Sequence, residues 1–169
     1  MWHQCWPVPD SLPIHQVYAW VVNEAGRTLL IRMPGGWNLP GGTPEGYDGG
    51  WEATLHREVL EEAGITVRDV RPLGYQEVQP QAGGRFAQVR AAARVCEWQD
   101  ARPDPDTGLV YPRVWVPLRL AAGLLGWGKP GMAQAAAAAQ VAREIYGFTA
   151  AAVLAQGASV DSTPVMQVV

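Results

Sequence analysis

The segment REVLEEAG carries Glu58, Glu61 and Glu62 within two helical turns. At about 100° per residue their side chains fall inside an arc of roughly 100°. Like charges three and four residues apart repel by a few tenths of a kcal/mol per pair, so the arrangement calls for something positive. A divalent cation meets that demand. Hard ions such as Mg²⁺ take oxygen ligands, usually one or two carboxylates together with waters and substrate phosphates. Three neighbouring glutamates could hold one ion directly and others through a shared pyrophosphate, the setting in which metals promote in-line attack by water. Arg57 stands four residues before Glu61 and can fix the rotamer of one carboxylate. Just upstream, WNLPGGTPEGYDGG is too rich in Gly and Pro for a regular element and reads as a shaped loop. Without a Cβ, its glycines let main-chain groups approach the acids closely.

The elements that must position this cluster follow from periodicity. A helix over 50–63 has Leu55, Val59, Leu60 and Ala63 on one side, and Gly64 stands at its C-terminal cap. Ahead of the loop, 15–22 reads as a strand, EAGR as a turn and TLLIRM as its partner, a hairpin. Beyond the helix come a strand over 65–70, a long strand RFAQVRAAARVCEW, a loop DARPDPDTG, and a strand LVYPRVWVPL in which Pro112 marks an edge or bulge. PLRLAAGLLGW is a short helix. MAQAAAAAQVAREIYG is a firmer one, with alanine favouring helix and Gly147 at the stop. Residues 1–13 read as an irregular arm and 158–169 as a loose or strand-like tail. The order gives an α+β domain, a layered α/β/α sandwich with a mixed central sheet, spanning 1–169 as one unit.

Composition narrows the function. At 169 residues, 48% hydrophobic, 17% charged and net charge -3, the chain has the profile of a globular protein and lacks the clustered basic residues that duplex nucleic acid requires. No apolar run reaches membrane-spanning length, and MWHQCWPVPD lacks the pattern of a secretory signal, so a cytoplasmic protein with no membrane partner is expected. Cys5 and Cys96 read as free thiols.

The string LPGGTPEGYDGGWEATLHREVLEEAGI resembles the Nudix box of the Nudix hydrolase superfamily: G, five residues, E, seven residues, then R-E-apolar-x-E-E-x-G-apolar. Arg57, Glu58, Val59, Glu61, Glu62, Gly64 and Ile65 match the second half in full. The first half departs. Counted without gaps, Gly49 stands where the box has its first glutamate and Thr43 where it has its glycine, so Gly42 fits only with one inserted residue. Asp48 is then the acid nearest the missing glutamate, with Glu45 and Glu52 as alternatives. The resemblance implies a Nudix-type sandwich and a Mg²⁺- or Mn²⁺-dependent nucleotide pyrophosphatase. Its substrate would be a nucleoside diphosphate linked to another group: a nucleoside triphosphate such as an oxidised purine, or a nucleotide sugar such as ADP-ribose. It implies Glu58, Glu61 and Glu62 as metal ligands with the backbone carbonyl of Gly41, Arg57 as the group that orients a glutamate, and water as nucleophile with a glutamate as base. Glu58 is the first candidate base; Glu97, Asp104 and Asp106 are the later acids. A homodimer is a common state among similar proteins. The irregular front half motivates the rival reading, a Nudix-like module that binds a nucleotide without cleaving it.

For the rest of the substrate, eight tryptophans and five tyrosines offer stacking faces. Trp37 reads as a structural plug, and at least one of Tyr18 and Trp20 faces the core; Trp115 and Trp127 are ambiguous. Arg85 and Arg90 could meet the phosphates, but their odd spacing on a strand turns them to opposite faces, so one of them is expected to. Pro80, sixteen residues past Gly64, resembles a feature of ADP-ribose pyrophosphatases. His15 and His56 carry no special signal, and His56, just before Arg57 on the helix, reads as a surface or edge histidine.

Overall fold

A computed structural model describes residues 1–149 and the pair Gln167–Val168. Strand β1 is Trp2–His3, β2 Ile14–Val22, β3 Arg27–Met33, β4 Gly36–Asn38 and β5 Gly41–Gly42; helix α1 is Trp51–Ala63. Then follow β6 (Ile65–Val78), β7 (Phe86–Trp98), β8 (Arg113–Pro117), α2 (Leu118–Leu125), α3 (Gly128–Glu144) and β9 (Gln167–Val168). The sheet runs β1-β6-β7-β2-β3-β8-β9, with β4 on β3 and β5 on β2. It is mixed, because β2 and β7 pair in parallel while their other neighbours are antiparallel.

Alternation along β2 sorts the two layers. Val17, Ala19 and Val21 join Leu55, Val59 and Ala63 of α1 on one face. Tyr18, Trp20 and Val22 join Leu118, Ala121 and Ala122 of α2 and Ala135, Ala138 and Ala142 of α3 on the other. Small side chains on α3 and at Ala92 of β7 let helix and sheet approach closely, which is why an alanine-rich helix serves as a core element.

The hairpin forms as expected, its turn held by the Asn23 Oδ1, which accepts from the backbone N–H of Ala25 and Arg27 at 3.1 and 3.0 Å. Five expectations need correction. The arm is not wholly irregular, since Trp2 and His3 pair with Gln76 and Tyr75 as an edge strand. The Gly/Pro loop contains two short strands, β4 and β5. The strand expected over 65–70 continues to Val78; Asp69, at a φ of 55°, and Pro72 sit at register shifts that let the ladder pass them. The last helix starts at Gly128, four residues before the expected Met132, and stops at Glu144 ahead of Gly147. Leu60, expected on the docked side of α1, is 39% exposed. Most of the 158–169 tail lies outside the described residues; Gln167 and Val168 pair with Trp115 and Val114 of β8.

Candidate active site

With Leu60 outside, the buried face of α1 is Thr54, Leu55, Glu58, Val59, Glu62 and Ala63. The helix therefore turns two of its glutamates toward the sheet. Glu58 and Glu62 are each 8% exposed, and Glu61 lies at the rim. What they face is β5. Gly41 has a φ of 151°, and a Cβ there would fall 2.1 Å from the Val17 carbonyl oxygen, so only glycine lets this strand lie against β2. Its N–H donates to Glu62 Oε2 at 2.7 Å. A Cβ on Gly42 would sit 2.5 Å from Glu58 Oε1. The loop and the acids are packed against each other with no room for a side chain between them.

Arg57 organises the cluster. Its Nη1 donates to Glu58 Oε1 at 2.9 Å and to Glu61 Oε2 at 3.0 Å. Its Nε and Nη2 donate to the two oxygens of Asp48 at 3.1 and 2.9 Å, and Nη2 also reaches the Thr43 carbonyl at 2.9 Å. Asp48 accepts further bonds from the Glu45 N–H and the Thr54 hydroxyl, both at 2.9 Å. Of the three acids weighed for the irregular half of the motif, Asp48 is thus the one turned into the cluster; Glu45 and Glu52 are exposed.

The electrostatics separate the acids. Hydrogen bonds from Arg57, then the Glu45 N–H, hold Asp48 well below the usual carboxylate range. Burial pushes Glu62 up to about 8, with the charges of Glu58, Asp104 and Glu61 adding to it and the Gly41 N–H opposing. Glu58 is also raised, by burial, against the pull of Arg57. Asp104 matters here. Among the later acids Glu97 and Asp106 are exposed, whereas Asp104 is 6% exposed and its charge acts on both Glu58 and Glu62. Its Oδ1 accepts from the Thr107 N–H at 2.8 Å and hydroxyl at 2.6 Å, which tightens the loop that carries it.

Oxygen donors alone, more negative charge than Arg57 neutralises and two carboxylates raised by burial make a donor set that suits a hard dication. Among the described residues no three such side chains are gathered around one point. Arg57 Nη1 draws Glu58 and Glu61 to itself while Glu62 is turned to Gly41.

A cavity of about 660 Å³ opens on the other side of β2, walled by Tyr18, Trp37, Gln76, Arg90, Trp127 and Gln134 among others. Tyr18 joins the two regions. It pairs with Gly41 in the sheet, and its hydroxyl feels Arg90 as well as Glu62 and Glu58. Arg90, 3% exposed, lies against the rings of Tyr18 at 4.3 Å and Trp127 at 4.9 Å, which themselves meet edge to face at 6.2 Å. It donates to Gln134 Oε1, Gln88 Oε1 and the Val89 carbonyl at 3.1, 3.1 and 3.2 Å, and loss of hydration lowers its pKa to about 10. Arg85 is separated from this cavity: it is exposed and paired to Glu77 at 2.8 Å. Trp37 is half-buried on the cavity wall beneath Arg32 rather than a sealed plug. Trp20 is wholly buried and Tyr18 nearly so, and Trp115 packs in the core against Trp98. His56 and His15 are at the surface, the latter stacked on Phe86. Pro80 lies in the β6–β7 connection. Sequence reasoning missed the cavity's amides: Gln76, Gln88 and Gln134 are ordinary residues on paper.

The model of the NUDIX domain matches residues 13–138, from the foot of β2 into α3, and the chain belongs to that family. Membership makes it a domain of the Nudix hydrolase class. Among solved structures, a MutT from a study of the Aliivibrio salmonicida and Vibrio cholerae proteins is 21% identical, with 76% of this chain and 98% of that one covered and a TM-score of 0.51. MutT from Bacillus halodurans is 22% identical over 70% of this chain and 78% of that one, at a TM-score of 0.54. The pyrophosphohydrolase RppH of Bacillus subtilis is 21% identical over 68% and 69%, also at 0.54. These likenesses show the shared fold. No curated protein matches the sequence.

Proposed function

We infer that the chain is a divalent-cation-dependent pyrophosphohydrolase that splits the phosphoanhydride of a nucleoside diphosphate linked to a further group. The observation that carries this reading is the adjacency of two unlike sites across Tyr18: a buried carboxylate cluster with more negative charge than Arg57 neutralises and an aromatic, amide-lined cavity of nucleoside size. In this reading Glu58, Glu61 and Glu62, with the Gly41 carbonyl, hold Mg²⁺ or Mn²⁺. The ion, when bound, neutralises the diphosphate and makes the phosphorus more electrophilic.

The chain's own groups do the rest. Arg57 sets the rotamers of Glu58 and Glu61 and is itself aligned by Asp48. Glu58 accepts the proton of the attacking water, a role its raised pKa favours. Arg90 and the aromatic walls hold the nucleoside, while Arg85, spent on Glu77, is given no part. The free, exposed thiols Cys5 and Cys96 support a reducing compartment such as the cytoplasm, and among the described residues no helix is long and apolar enough to cross a membrane.

The test is a panel of nucleoside triphosphates and nucleotide sugars incubated with purified protein and Mg²⁺. Phosphate-bearing products that vanish in Glu61→Gln and Glu62→Gln support the enzyme. Nucleotide binding without turnover under every divalent ion tried would replace it with the binding module.

A further inference from the structure

Arg90 is a buried cation whose partners are amides and a carbonyl, with no carboxylate among the described residues. The rings of Tyr18 and Trp127, which meet each other edge to face, both pack against its guanidinium. Of its five N–H groups three are engaged within the described residues, and the remainder can only donate. One strand away stands the opposite need. Gln76 lies opposite Gln88, which itself accepts from Arg90. The Gln76 Nε2 donates to the Glu77 carbonyl at 3.3 Å, and its Oε1 is left buried with no partner. A buried acceptor left in this state is costly, and a ligand donor would relieve it.

Resting on the nucleotide reading above, we propose that Arg90 and Gln76 set base specificity: the cavity takes a 6-oxopurine and rejects adenine. A 6-oxopurine carries two adjacent acceptors, O6 and N7, for the Arg90 edge, the pairing by which arginine reads guanine elsewhere. It also carries a ring N–H that can satisfy Gln76 Oε1. Adenine inverts both groups. Its 6-amino group sets donors against the donor-only Arg90, and its N1 lone pair faces the Gln76 oxygen. The half-buried ring of Trp37 offers the base a stacking face.

Binding of GMP, IMP and AMP to the full chain, followed by calorimetry without divalent ion, tests this independently of turnover. GMP and IMP should bind about tenfold or more tighter than AMP. Arg90→Gln should collapse or invert that ratio, because glutamine can accept from the adenine amino group, while Arg90→Lys should keep the preference at lower affinity. Gln76→Leu, which leaves Arg90 in place, should weaken GMP and IMP while sparing AMP. Equal affinities in the unaltered protein, no binding of any of the three, or a ratio unmoved by both Arg90→Gln and Gln76→Leu overturns the proposal. Selective binding without hydrolysis of any triphosphate would sink the enzyme reading and leave this one standing.

Discussion

Asp48 meets Arg57 edge to edge, Oδ1 on Nε at 3.1 Å and Oδ2 on Nη2 at 2.9 Å, so a carboxylate from the loop aligns the guanidinium that in turn holds Glu58 and Glu61. In the proposed reading the loop carries one residue more, the shorter Asp48 takes the place of the missing glutamate by reaching Arg57, and the position of Gly49 needs no acid.

Asp48→Asn should therefore cost about 10- to 100-fold in kcat/KM, the usual range for a partner one step removed from a metal site. Gly49→Glu should bring no gain, because Arg57 is already engaged by Asp48. Steady-state kinetics on both variants check this, and a large gain in Gly49→Glu would mean that Asp48 does not fill the role.

Gly41 and Gly42 are adjacent, yet their alanine variants should fail differently. At Gly41 the added carbon meets backbone 2.1 Å away at a φ of 151°, so Gly41→Ala should lose roughly 1–3 kcal/mol of stability or more. At Gly42 it meets the end of the Glu58 side chain, which can swing aside. Gly42→Ala should keep its melting temperature within a few degrees and lose about 100-fold in kcat, since a displaced catalytic carboxylate costs that much. Paired melting curves and kinetics read the contrast.

The raised pKa of Glu62 makes a stability prediction. Its ordinary value is 4.5 and its folded value about 8, so between them the native chain keeps a proton that the unfolded chain has released. Stability must then fall as pH rises through that window. Without divalent ion the Tm should drop by a few degrees from about pH 5 to about pH 8, and Glu62→Gln should flatten the slope. Mg²⁺ should counter the decline by binding the ionised form. Calorimetric scans across that range, with and without Mg²⁺, measure each effect.

The layers and the chemistry were legible for different reasons. Val17 to Val22 is apolar throughout, so it reads as a strand with both faces covered, and Leu55, Val59 and Ala63 with Gly64 mark α1 and its end. The acids were legible because REVLEEAG, on its own an ordinary solvated helix end, follows the glycine-rich loop WNLPGGTPEGYDGG at a short separation. What stayed hidden depends on contacts distant in sequence. Asp69 and Pro72 suggest that β6 stops early, and only the bulges against β7 show how it continues. Gly41 and Gly42 look like loop until β2 lies beside them. Nothing local distinguishes the exposed Arg85 from the buried Arg90, nor marks Leu60 as the apolar residue of α1 left outside.

Glu58 and Asp104 can be separated as bases by the same logic. Both are buried acids and the charge of Asp104 acts on Glu58, but Asp104 Oδ1 is held by two donors from Thr107, whereas Glu58 Oε1 has only Arg57. A base needs a free lone pair aimed at water, and Glu58 lies against the Gly41–Gly42 strand where the diphosphate would be drawn. Glu58→Gln should therefore lower kcat by about 10²- to 10⁴-fold. Asp104→Asn should stay within about tenfold of the unaltered protein and instead lower the pKa of Glu62, because it removes a negative charge that raises it. Its signature is a Tm that declines less between about pH 5 and about pH 8 than in the unaltered protein. If Asp104→Asn loses the larger factor and Glu58→Gln the smaller, the proton goes to the loop, and Glu58 is a ligand only.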